Sequence, residues 1–84
     1  MEKLMDLPNI GKVTAQNLIA SGVNTVEDFL NIGAKASYIK VRQSADPSAW
    51  INVLLGLVGA EMGIKKKEIP SDIVNEMKEF FKSI

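Results

Sequence analysis

The sequence contains no cysteine and no histidine. Without cysteine there is no disulfide and no thiolate nucleophile. Without either residue the commonest general base and the usual zinc ligands are missing. No glycine-rich phosphate loop of the Walker or dinucleotide type occurs. The acidic pair Glu27 and Asp28 is adjacent in sequence, so on a helix the two carboxylates diverge and form no acid–base couple. An enzyme is therefore not expected, nor a metal or cofactor. An excess of one charge is also lacking, because 10 Lys and Arg balance 10 Asp and Glu. That removes the bulk electrostatic argument for a nucleic-acid-binding domain but leaves room for a local site. Long apolar runs are absent too. The uncharged stretch from Ala49 to Ala60 is closed by Glu61, well short of the roughly 20 residues that a membrane span requires. The opening Met1–Leu7 has charges where a signal peptide would have its apolar segment. A cytoplasmic protein without membrane association is expected.

What the sequence does contain is helical patterning around one apolar stretch. The 84 residues form a single domain, 1–84, with one modest core. A buried central helix is expected over about 47–62, with Asp46 as its N-cap and Pro47 at its first position. Trp50, Ile51, Val53, Leu54, Leu55, Leu57, Val58 and Met62 point in nearly every direction around it, which is the mark of a buried helix. Gly56, Gly59 and Gly63 fall near one face and suggest the close approach of another helix. Gly63 also reads as the left-handed residue ending the helix, with Ile64 packing back.

The other helices follow the same logic. Residues 2–6 make a short helical turn, stopped by Pro8. A helix from Gly11 or Lys12 to Ser21 turns Ala15, Leu18 and Ile19 inward, and Gly22 ends it with Val23 packing back. Thr25 caps the next, whose Val26, Phe29 and Leu30 face the core and which ends near Asn31-Ile32-Gly33. Ala34 to Ser44 follows, with the stripe Ala34, Tyr38, Val41 and Ala45 inward. Pro70 and Ser71 open the last helix, where Ile73, Met77, Phe80, Phe81 and Ile84 form one apolar face that docks on the core helix. Tyr38 and Trp50 are expected in the core. No alternating strand pattern occurs, so the fold is all-α with about five helices.

The segment Leu7-Pro8-Asn9-Ile10-Gly11-Lys12, followed by Ala15, Leu18 and Ile19, resembles a helix-hairpin-helix motif. That resemblance implies binding to the sugar-phosphate backbone without sequence reading. The physical basis is a tight turn that exposes backbone N–H groups at a helix N-terminus, where the positive end of the helix dipole also lies. Asn9 stands where the motif usually has glycine. The expected nucleic-acid-binding residues are Asn9, Ile10, Gly11, Lys12 and Gln16. Such hairpins also hold cations through carbonyl oxygens, which Pro8 and Ile10 would supply. A weak echo, Asn9-Ile10-Gly11 and Asn31-Ile32-Gly33, precedes two of the helices.

A wider resemblance covers nearly the whole chain. Leu7-Pro8-Asn9-Ile10-Gly11, Gly22-Val23-Asn24-Thr25-Val26-Glu27-Asp28, Gly33-Ala34, Tyr38, the run Asn52–Ala60 and Ile69-Pro70 look like the C-terminal domain of the TfoX (Sxy) competence regulators. This implies a helix-hairpin-helix-type domain linked to regulation of DNA uptake genes in bacteria. Two functions follow as expectations: a module that binds nucleic-acid backbone weakly, or a protein-interaction module in gene regulation that never touches DNA. Lys65-Lys66-Lys67 is the one cationic run and reads as a solvated connection. Lys12, Lys35, Lys40 and Arg42 would form a cationic surface if their helices lie side by side.

Overall fold

Three glycines with positive φ, Gly22, Gly33 and Gly63, mark where the first helices end or bend. The computed structural model describes residues 3–84. A 3₁₀ turn, Leu4–Asp6, leads through the hairpin to α1 (Lys12–Ala20). Then come α2 (Val26–Ser44), α3 (Ile51–Met62), a second 3₁₀ turn at Lys66–Glu68, and α4 (Ser71–Lys82). Among the described residues there is no strand, so the all-α expectation holds. There are four helices rather than five because the expected pair over residues 25–44 is one element, broken at Gly33 (φ 85°, ψ 170°). A side chain there would be strained, so glycine sets the break. The helix restarts at Ala34, whose N–H donates to the Glu61 carboxylate of α3 at 2.9 Å. Glu61 thus acts as a cap supplied from another helix.

The local stop and start signals work as expected. The Thr25 hydroxyl accepts from Asp28 N–H at 3.0 Å, and the Asp28 carboxylate accepts from Asn24 N–H at 3.3 Å. Gly63 (φ 76°) ends α3, and Ile64 N–H turns back to the Gly59 carbonyl at 2.9 Å. Val23 N–H does the same to Leu18 at 2.8 Å and is fully buried. The echo between residues 9–11 and 31–33 is not structural. The first copy has its positive φ at Asn9, the second at Gly33.

The central helix does begin later than expected. Asp46 caps no helix. Its carboxylate accepts from Ser48 N–H (3.1 Å) and the Ser48 hydroxyl (2.7 Å), closing a local turn around Pro47. The buried Tyr38 hydroxyl donates to the Ala49 carbonyl and Ala49 N–H donates to the Asp46 carbonyl at 3.0 Å, so this segment is a turn and α3 starts only at Ile51. Trp50 is consequently outside the helix and 61% exposed, not in the core. Leu54, Leu57, Val58 and Ala60 of α3 pack with Leu18, Phe29, Tyr38, Val41 and Met77 to form the single core. Ile19 and Leu30, read as inward, are instead 52% and 48% exposed, while their neighbours Leu18 and Phe29 are the fully buried ones. On α4, Met77 is buried, Ile73, Phe80 and Phe81 are half-buried and Ile84 lies outside. Phe81 stands 5.9 Å from Trp50 and 6.3 Å from Tyr38, ring centre to ring centre.

Candidate nucleic-acid interface

The hairpin is built on Asn9. Its φ of 67° makes it, among the described residues, the one non-glycine residue in the left-handed region. Asn tolerates this better than most residues. Its side chain then supplies what glycine could not. The amide nitrogen donates to the carbonyls of Gly56 (3.3 Å) and Ile64 (3.0 Å), and the amide oxygen accepts from Lys66 N–H (2.9 Å). One residue therefore ties the hairpin to the middle of α3, to its end and to the following cationic run. The small-residue face of α3 exists for this contact. A Cβ on Gly59 would lie 2.5 Å from the Asn9 amide nitrogen and 2.9 Å from the Ile64 carbonyl oxygen. The element that approaches α3 closely is thus a turn, not the expected helix.

The expected binding residues are divided among three environments. Asn9 is spent on these internal bonds. Ile10 is buried at 4% exposure and anchors the turn in the core. Gly11 is the exposed N-cap of α1, and a Cβ there would meet nothing within 4 Å. The N–H groups of Gly11, Lys12, Val13 and Thr14 have no acceptor among the described residues, as befits a helix start without a side-chain cap. The carbonyls of Pro8 and Ile10 accept no hydrogen bond among the described residues. Lys12 and Gln16 are exposed and lie together in a groove with Lys3, Met5 and Ile19. Thr14, two residues after Lys12 and so about 200° around the helix, borders a different hollow with Asn52 and Lys66. Sequence reasoning missed Lys66, because only the bond to Asn9 brings the lysine run beside the hairpin.

The TfoX C-terminal domain family model matches residues 1–81. This chain belongs to that family. Two solved structures from Listeria monocytogenes resemble this TfoX C-terminal domain along almost its full length. One, an uncharacterized protein in a triclinic crystal form, has a TM-score of 0.94 and 33% identity, covering 98% of this chain and 92% of its own. The other, a protein of unknown function in a tetragonal form, has a TM-score of 0.91 and 34% identity, covering 95% of this chain and 98% of its own. No curated protein matches.

Two further cations of the TfoX domain are engaged on α4. Lys35 sits 5.2 Å over the Phe80 ring and Arg42 5.5 Å over Phe81. Both cations face α4, whereas Lys12 and Lys66 border hollows on either side of the hairpin. No helix among the described residues is long and apolar enough to cross a membrane.

Proposed function

We propose that this TfoX C-terminal domain is a non-enzymatic, cytoplasmic module that binds nucleic-acid backbone weakly and without reading sequence, in the regulation of DNA uptake genes. Family membership and the absence of cysteine and histidine support the regulatory, non-enzymatic part. The observation that carries the binding part is the open start of α1. Its first amides lack acceptors, Gly11 leaves room for a phosphate to approach, and Lys12 and Lys66 flank the turn. Asn9 does not obstruct this seat, since its side chain is turned toward α3. Amides and ammonium groups meet phosphates rather than base edges, so the contact carries no sequence information. Each helix-terminus or lysine contact is worth about 1 kcal/mol or less at an exposed site, so affinity is low.

Titration of labelled duplexes of unrelated sequence at several salt concentrations tests this. Two lysines on phosphates give a logarithmic salt slope near −1.8, from about −0.9 per contact. Lys12→Glu weakens binding for every sequence, and Lys66→Gln lowers the slope by about one contact. Unchanged binding by both folded variants would refute the reading. A second reading, a protein-interaction module with no direct DNA contact, is favoured by the apolar groove that Lys12 shares with Met5 and Ile19.

A further inference from the structure

We propose that the groove between the first 3₁₀ turn and α1 docks an acidic, amphipathic helix of a protein partner. The groove encloses about 480 Å³. Leu4 and Ala15 form its floor and are buried in the domain's own core. Met5 and Ile19 form its walls, each 52% exposed. Two large apolar side chains exposed side by side in one concave place offer a partner an apolar seat. This groove also lies on the side of α1 turned away from the Thr14, Asn52 and Lys66 hollow, so it does not rest on the nucleic-acid reading.

Charge decides the occupant. Among the described residues the two charged side chains lining the groove are Lys3 and Lys12, and none is acidic. Neither ammonium has a carboxylate partner within salt-bridge distance among the described residues, where the one ion pair is Lys82–Glu79. The protein is neutral overall, yet this surface is apolar with a basic rim. Its complement is an apolar stripe flanked by carboxylates. A helix presents that pattern through residues at i, i+4 and i+7, and no strand edge exists among the described residues to take a peptide by strand addition. Lys12 serves both this groove and the phosphate seat, so the two ligands compete for it.

The probes are a short designed helix with Leu at i, i+4 and i+7 flanked by Glu, and its counterpart with Lys in place of Glu. Binding is read by the amide shifts of Ala15, Gln16 and Ile19 and by anisotropy of the labelled peptide. The acidic helix should bind and the basic one should not. Ile19→Gln, at a half-exposed position, should keep the melting temperature, weaken the acidic helix at least about tenfold as loss of an anchor does, and leave duplex affinity unchanged. Lys66→Gln should leave peptide binding unchanged. Lys3→Glu with Lys12→Glu should reverse the preference between the two peptides. Binding of neither peptide, equal binding of both, or full acidic-helix affinity in folded Ile19→Gln would overturn the proposal. Peptide binding without duplex binding would sustain it while removing the backbone reading.

Discussion

Replacing Asn9 by glycine and by alanine separates its two contributions, side-chain bridging and tolerance of positive φ. The wild-type side chain makes three hydrogen bonds, of 3.3, 3.0 and 2.9 Å, to Gly56, Ile64 and Lys66. A hydrogen bond contributes a net 0.5–1.5 kcal/mol, and these are long or solvent-accessible, so roughly 2 kcal/mol is at stake together. Glycine recovers part of that because it adopts φ near 67° freely, which leaves Asn9→Gly less stable by about 1–2 kcal/mol. Alanine loses the same bonds and adds about 1–2 kcal/mol for a left-handed L-residue, so Asn9→Ala costs about 3 kcal/mol. For a domain of this size 1 kcal/mol moves the melting midpoint by about 4–8 °C, well within resolution. Urea unfolding gives the stabilities, and amide exchange at Lys66 reports the bridge locally. The expected order is wild type, then glycine, then alanine, with Lys66 exchange faster in both variants. An Asn9→Gly protein as stable as wild type, with Lys66 exchange unchanged, would refute the bridging argument.

Further outcomes follow from the packing. Gly59→Ala should destabilise the domain although alanine favours helix by about 1 kcal/mol. The added Cβ meets Asn9 and the Ile64 carbonyl, and Asn9→Gly should rescue part of the loss in a double-variant cycle. Truncation after Lys78 removes Phe80 and Phe81. Both are half-buried, so about 2 kcal/mol each is expected rather than the 3–5 of a fully buried ring. The single tryptophan, edge-on to Phe81, should change its emission as the truncated domain melts earlier. Glu61→Ala should cost about 1 kcal/mol, the usual worth of a helix cap, with faster exchange at Ala34 N–H. The single tyrosine, Tyr38, is pushed above its ordinary 10.0 by burial, against the opposing effect of Arg42. A raised folded value means the folded state holds this proton more tightly. Its stabilising contribution is whole below pH 10 and is lost as pH rises through the folded value. Tyrosinate absorbance should appear at higher pH in the folded than in the unfolded protein.

Signals confined to a few residues were legible in the sequence. Gly22 with Val23, Thr25 with Asp28, and Gly63 with Ile64 each close hydrogen bonds within a turn, so residue type and spacing suffice to place them. The stripe Ala34, Tyr38 and Val41 was legible because one face of α2 lies along α3. Features made by residues distant in sequence were not. Asp46 looks like a helix cap, and only the Tyr38 hydroxyl on the Ala49 carbonyl shows why the helix waits until Ile51. Gly33 was a visible boundary, but nothing local names Glu61 as the cap that follows it. Gly56 and Gly59 announced a close neighbour without saying that it is Asn9. At the candidate site, positive φ at Asn9 and exposure of Gly11, Lys12 and Gln16 were readable, whereas the position of Lys66 depends on a bond across 57 residues.

Amide mapping of the labelled domain against an unlabelled duplex at low salt tests the backbone-binding claim most directly. The amides of Gly11, Lys12 and Val13 should shift first and in proportion, with Lys66 beside them, and the shifts should be alike for unrelated sequences and fade with added salt. Shifts that spare the start of α1, or that differ between sequences of equal length, would contradict it.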